Sequence, residues 1–285
     1  MGTVKNLMIL STHSGVGKNL IACGLLRAFA QRGHAVSPFK GLNIEPYTCI
    51  LPGNDRVSFA QTLQCMAARI EPTSSQSPII VTYPFPFGSA ESGRCDSIYV
   101  DGKTDTNIGG PWHERHKRYT RIIGSAIDSL LERYSCLVIE GAGSPVELAV
   151  DGQDLPNQMV YSLAQAPCIL LVTEMTRGGG YAHLVGTLQL MSPEMRSAVR
   201  GVVLNKFSTH SDVSIHDGMA QFEEITGIPV IGSIPFLDRT FIPGEEVDGD
   251  VHYVGLPPLE AEFDLLSETL KQHIDVSMIE ELLFD

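Results

Sequence analysis

Several things are missing from this sequence, and each absence removes a class of function. No unbroken apolar run reaches the ~20 residues that span a bilayer. No cationic N-terminal stretch leads into an apolar core of the kind an export signal carries. There is no Cys-x-x-Cys pair: the six cysteines (Cys23, Cys49, Cys65, Cys95, Cys136, Cys168) lie far apart, several of them inside apolar runs. No histidine tract completes a zinc pattern beside them, so buried, reduced thiols are expected rather than a disulfide framework. Positive charge is scarce too, with 20 Lys and Arg against 33 Asp and Glu and a net charge of −13. That balance disfavours nucleic acid and anionic membrane as partners. The absences together predict a cytoplasmic protein.

What is present is ample material for a core. The chain has 285 residues, 43% of them hydrophobic and 19% charged, enough for one large domain or one domain with an insertion. Apolar, β-rich runs alternate with helical patterns. "NLMILST", "AVSPFK", "CLVIEGAG", "CILLVTEM", "GVVLNKF" and "PVIGSIPF" read as strands. "LIACGLLRAFAQRG", "SFAQTLQCMAARI", "PNQMVYSLAQ", "GYAHLVGTLQLM", "IHDGMAQFEEITG" and "LEAEFDLLSETLKQHI" read as helices, the first closing on Gly33. Unbroken apolar strands separated by helices call for a parallel sheet covered on both faces, an α/β fold. Residues 82–120 interrupt the alternation and read as an insertion. Residues 257–285 read as a helical tail, and residues 1–285 as a single domain.

In such a fold ligands gather at the carboxyl ends of the strands. Lys18, Lys40, Glu140, Thr176, Asn205 and Pro235 each follow a predicted strand. After the first strand comes "STHSGVGKN", a glycine-rich turn leading into a helix. Such a turn aims successive backbone N–H groups at one point, and the helix N-terminus adds partial positive charge, which together bind phosphate. Gly15 and Gly17 permit close approach and Lys18 reaches the outer phosphates, the arrangement of a P-loop. Two positions depart from that pattern. Thr12 stands where a glycine is usual, and Asn19 stands where a Ser or Thr hydroxyl would hold magnesium. "WHERHK" has its second His three residues along rather than four, so it reads as a polar helix face with Lys117 as an anion contact.

The succession "STHSGVGKN", "PFKGLNIEPYT", "SFAQTLQCMAARIEP", "VIEGAGSPVEL", "DLPNQ", "TRGGGYAHLVGTLQLM" and "VVLNKF" resembles the ATP-dependent synthetase domain of cobyric acid synthase, from about residue 5 to about 240. That domain is related to dethiobiotin synthetase and to the synthetase half of CTP synthase. The resemblance implies a P-loop NTPase-type sheet, ATP and Mg2+ as cofactors, and a carboxylate substrate activated as an acyl phosphate for attack by ammonia. It also implies roles for particular residues. Thr12, Ser14, Gly15, Val16, Gly17 and Lys18 would surround the phosphates. Glu140 and Asn19 would face the metal. Asn205, Lys206, Ile234, Pro235 and Phe236 would hold the adenine. Lys40 would act with Lys18 and Glu140 in catalysis, and Asn43, Gly143, Ser144, Arg177, Gly178 and Gly179 would line the substrate side.

Three matched positions differ from the family. Besides Asn19, Arg56 stands where the family tends to carry a Glu ahead of the "AQ" helix, and Thr176 replaces the Asp of an Asp-Arg-Gly-Gly stretch. Each change removes negative or oxygen-rich character from the metal region; an Arg56 guanidinium would stand in for metal charge against a phosphate. No Cys nucleophile follows Cys168, so ammonia would come free or from a separate glutaminase subunit. Two other readings stay open: a nucleotide-binding regulatory or assembly subunit with little catalysis, and dethiobiotin-synthetase-like carboxylation. A homodimer is compatible with either.

Overall fold

The computed structural model describes residues 6–83, 97–107, 112–147, 154–165, 167–207, 212–237 and 251–284. In chain order the elements are β1 (Leu7–Ser11), α1 (Lys18–Gln31), β2 (Val36–Phe39), β3 (Leu42–Glu45), β4 (Thr48–Ile50), β5 (Arg56–Ser58) and α2 (Phe59–Ala67). They continue as β6 (Ile79–Thr82), β7 (Ser97–Val100), β8 (Lys103–Thr104), α3 (Trp112–Leu131) and β9 (Cys136–Glu140). A π-helical turn (Leu155–Met159) runs into α4 (Val160–Leu163), followed by β10 (Cys168–Glu174), α5 (Gly180–Leu190), α6 (Pro193–Ala198) and β11 (Val199–Phe207). The chain ends in α7 (Asp212–Thr226), β12 (Val230–Pro235), β13 (Val251–His252), α8 (Glu260–His273) and α9 (Val276–Phe284).

A six-stranded sheet in the order β12-β11-β10-β1-β9-β2 forms the middle of the molecule, and all its pairings are parallel. Strand alternation divides its side chains between two cores. Leu7 and Ile9 of β1 pack with α1, α2, α8 and α9, whereas Met8 and Leu10 pack with α3, α4, α5 and Phe222 of α7. Both faces are therefore covered by helices, as the apolar runs predict and as the P-loop NTPase-type sheet implied by the resemblance requires. Helix α1 closes as expected, with Gly33 at φ 86 just past its end.

Two small sheets border the large one, β13-β4-β5 and β3-β6-β7-β8. Of the segment expected as an insertion, residues 97–104 are β7 and β8, which extend the β3–β6 pair by antiparallel pairing. Residues 84–96 and 108–111 of that segment lie outside the described residues. The expected C-terminal tail forms α8 and α9, which pack against α1 within the core rather than apart from it. Among the described cysteines, Cys23, Cys49, Cys65 and Cys136 are buried free thiols, and Cys168 is a half-buried one. No helix among the described residues is long and apolar enough to cross a membrane.

Candidate active site

Strand register assembles the site. Phe39 of β2 pairs with Ile139 of β9, so the next residues, Lys40 and Glu140, emerge side by side. Glu140 is itself in register with Ile9 of β1, and Ser11 with Val172 of β10. One strand further out, Glu174 pairs with Asn205 of β11. The chain leaves β1 between β9 and β10, so the loop of residues 12–17 crosses the middle of this edge. That is the crevice where parallel sheets bind ligands.

The loop is held open to solvent on one side and fixed on the other. Gly15 and Gly17 adopt φ 79 and 99, and Gly17 is the left-handed N-cap of α1. A side chain at Gly17 would also collide with the Asn205 amide. Val16 is buried, and its carbonyl accepts a hydrogen bond from Asn205 Nδ2 at 2.6 Å. Lys206 Nζ donates to the Gly15 carbonyl at 2.6 Å and pairs with Glu174 at 3.1 Å. Helix α1 has no acidic residue in its first turn and no side-chain cap, which leaves its leading N–H groups for an anion.

Lys18, Lys40 and Glu140 come together beneath this loop. Lys18 is buried and its ammonium donates to the Ser11 hydroxyl at 2.7 Å. Ser11 in turn lies 2.7 Å from the His13 carbonyl and 3.1 Å from that of Gly143. Burial pulls the Lys18 ammonium down to about 8, with Glu140 opposing the shift and Lys40 adding to it. Lys40 Nζ donates to Glu140 Oε1 at 2.9 Å, and Gln64 Nε2 donates to Glu140 Oε2 at 2.6 Å. Burial alone would raise the Glu140 carboxyl, but the charges of Lys40 and Lys18 and these two hydrogen bonds hold it below the ordinary value. Gln64 also donates to Asn19 Oδ1 at 2.8 Å, linking the two expected metal-facing residues through one amide.

The donor set fits a hard divalent cation in kind: two carboxylates, Glu140 and Glu45, and the Asn19 amide oxygen, with Glu45 Oε1 buried and unpartnered. Among the described residues, however, no three His, Cys, Asp or Glu gather closely enough to hold an ion by themselves. Glu140 and Asn19 would therefore hold it jointly with phosphate oxygens, as is usual for magnesium.

The remaining predicted residues separate by position. Thr12 is buried, bonded to His13 Nδ1 at 2.9 Å and to Thr173 Oγ1 at 3.0 Å, whereas Ser14 and Gly15 are exposed at the loop tip. Asn43 is buried and donates to the Lys40 carbonyl at 3.2 Å, so it steadies the turn that presents Lys40. Gly143 (φ 56) and the buried Ser144 lie on the turn after β9. Ile234, expected at the adenine, has its side chain in the core, while Phe236 is exposed and its N–H bonds to the Phe207 carbonyl. Gly178 and Gly179 lead into α5 in left-handed conformations, Gly179 as its N-cap. Arg177 is 91% exposed and 3.9 Å from Glu174, outside the Lys18–Glu140 cluster. Arg56, expected to face phosphate, instead bonds Thr48 Oγ1 at 2.9 Å and lies over the Tyr99 ring at 5.2 Å.

Sequence reasoning missed three contributors. Gln64 carried a signal, since Gln61 and Gln64 are polar residues one helical turn apart on the buried face of α2. Glu174 pairs with Lys206 and lies 3.6 Å from His13; burial opposes its charge, and Lys206, Thr176 and His13 keep it below the ordinary carboxylate range. Asn157 holds the turn after β9 by accepting from Ala142 N at 3.0 Å and donating to Ala142 O at 2.9 Å.

The family described as CobQ/CobB/MinD/ParA nucleotide binding domain matches residues 7–246. The chain is 39% identical over 243 residues to the cobyric acid synthase of Desulfitobacterium hafniense (strain DSM 10664 / DCB-2), covering 84% of this chain and 45% of that protein. It is 33% identical over 278 residues to the cobyric acid synthase of Nostoc sp. (strain PCC 7120 / SAG 25.82 / UTEX 2576), covering 96% of this chain and 51% of that one. The chain thus spans about half the length of the curated relatives it matches. A ParA family ATPase from Chlorobium tepidum TLS is similar with a TM-score of 0.44 at 13% identity, covering 94% of this chain and 92% of that one.

Proposed function

Because this chain belongs to the CobQ/CobB/MinD/ParA nucleotide-binding family, we propose that it is an ATP-dependent ligase that turns a substrate carboxylate into an amide. The observation that carries the reading is the pair of ammonium groups, Lys18 and Lys40, beside the buried Glu140 carboxylate at the mouth of a phosphate loop. The relatives named cobyric acid synthase support a corrinoid acid as the substrate class.

In the proposed reaction an oxygen of the substrate carboxylate attacks the γ-phosphorus of ATP. The bond to the bridging oxygen breaks and ADP leaves with that electron pair. Ammonia then attacks the acyl carbon, the carbon–oxygen bond to phosphate breaks, and one proton leaves the nitrogen. The amides of Gly15–Gly17 and the Lys18 ammonium take up negative charge that grows on the phosphate oxygens during transfer. Lys40 has a second task besides its bond to Glu140, to orient the incoming carboxylate. Glu140 and Asn19 would hold a divalent cation together with phosphate oxygens, and such a cation would supply further neutralisation of phosphate charge. Ammonia arrives free or from a separate glutaminase.

The test is ADP release and amide formation with ATP, a corrinoid acid and either ammonium or a glutaminase with glutamine. Turnover is expected only when acid and nitrogen source are both present. Nucleotide binding with no amide under any of these combinations would overturn the ligase reading. It would favour a regulatory or assembly subunit, a reading that the Gln64 bridge between Asn19 and Glu140 supports because it occupies both metal-facing groups. Bicarbonate-dependent ADP release with a diamine would favour carboxylation instead.

A further inference from the structure

Glu45 ends β3, the strand that follows Lys40 after a single residue, and its carboxylate folds against the start of α2. Oε2 accepts from Ser58 Oγ at 3.1 Å, and the Phe59 backbone N–H donates to the same carboxylate. The other oxygen, Oε1, is sealed from solvent and has no hydrogen-bond partner, although the residue keeps some exposed surface. A buried carboxylate oxygen with nothing to bind it is costly, so it marks a place where a cation belongs.

The surroundings say which cation. Lys40 and Glu140 both act electrostatically on Glu45, which places it in the charge cluster under the phosphate loop. Burial outweighs Lys40 and drives the carboxyl up to about 8, so near neutral pH it is mostly protonated until a further cation draws it into the ionised form. Lys40 is committed to Glu140 at 2.9 Å. Both Glu140 oxygens have donors, and Asn19 Oδ1 accepts from Gln64, so the open carboxylate oxygen of this cluster is Glu45 Oε1. Before a nucleotide arrives the two lysines face one ionised carboxylate, Glu140, and a triphosphate adds more negative charge than they offset.

We infer that Glu45 Oε1 anchors, from the α2 side, the divalent cation that enters with the nucleotide. The inference rests on the nucleotide-using reading above, and it gives this chain a metal-side carboxylate outside the P-loop and β9. Magnesium bound by one or two carboxylates plus phosphate oxygens is the usual pattern, so one further carboxylate is chemically sufficient.

The test uses the full chain, Mn2+ as the probe and a non-hydrolysable ATP analogue, with metal affinity read by electron paramagnetic resonance and nucleotide affinity by calorimetry. Glu45→Gln keeps an acceptor for Ser58 and Phe59 and removes only the charge. It should weaken Mn2+ in the presence of the analogue at least tenfold and leave analogue affinity in EDTA unchanged. Glu45→Asp, with the charge on a shorter stem, should retain more Mn2+ affinity than Glu45→Gln. Equal Mn2+ affinity in wild type and Glu45→Gln, or the reverse order of Gln and Asp, overturns the inference and leaves nucleotide binding intact. Wild-type protein that binds no analogue, with or without Mn2+, overturns the functional reading and the inference together.

Discussion

Helix α1 buries a cation near each end, and the two ends are built differently. Arg27 is fully buried, and its guanidinium meets two carboxylates of α8, Asp264 at 2.7 Å and Glu260 at 2.5 Å. Burial opposes its charge, and those hydrogen bonds more than restore it. Lys18, at the other end, donates to a neutral hydroxyl while the nearby Glu140 is bonded to Lys40 and Gln64. Its ammonium is pulled down by burial rather than secured. A structural cation is neutralised by carboxylates of its own chain, as Arg27 is through Nε and Nη2; a functional one keeps charge in hand for a ligand.

Glu140 should give the largest effect, because both lysines lean on it. Glu140→Gln leaves two ammonium groups without their carboxylate and should cost about 3 kcal/mol in stability, seen as a lower midpoint in denaturant, and abolish ATP turnover. Next comes Lys18→Met. Nucleotide affinity or turnover should fall roughly a hundredfold or more, the scale for losing a charged donor at a phosphoryl centre. Thermal stability should hold or rise, since the change removes a desolvated charge. Arg27→Met should do the opposite: a loss of about 1–2 kcal/mol, within the ordinary range for point mutants, with analogue affinity by calorimetry unaffected. If Lys18→Met destabilises more than Arg27→Met, the contrast between the two ends is wrong.

The same contrast explains what the sequence made legible. β1, β9 and β10 are unbroken apolar runs, so the parallel sheet could be read directly, and the glycine loop followed from its place between strand and helix. Lys40 and Glu140 were each recognisable as strand-end residues. Their contact was not, because β2 and β9 lie side by side only after the whole of residues 40–135 has been laid elsewhere. Strands of two to four residues such as β5 and β8 carry no usable period. Ile234 and Phe236 are both apolar residues that the resemblance puts at the adenine, yet one lies in the core and the other is exposed. Glu45 gave no signal at all, since its burial depends on reaching the first turn of a helix 14 residues further on.

The smallest expected effect tests whether Arg27 acts by charge. Its hydrogen bonds hold Asp264 and Glu260 below ordinary carboxylate values, against the opposing effect of burial. A carboxylate lowered on folding contributes stability that is complete above its unfolded value, about 3.9 for Asp and 4.3 for Glu, and that is lost as pH falls through the folded one. Both side chains are partly exposed, at 46% and 58%, so solvent screening keeps the contribution within the ~1 kcal/mol typical of such pairs. The stability difference between wild type and Arg27→Met should therefore be constant from pH 7 down to about 5 and shrink below about 4. Other titrating groups, Glu140 among them, affect both proteins alike and cancel in that difference. A difference that persists unchanged into strong acid would mean that the buried stem of Arg27 stabilises the contact with α8 by packing, and that its charge is incidental.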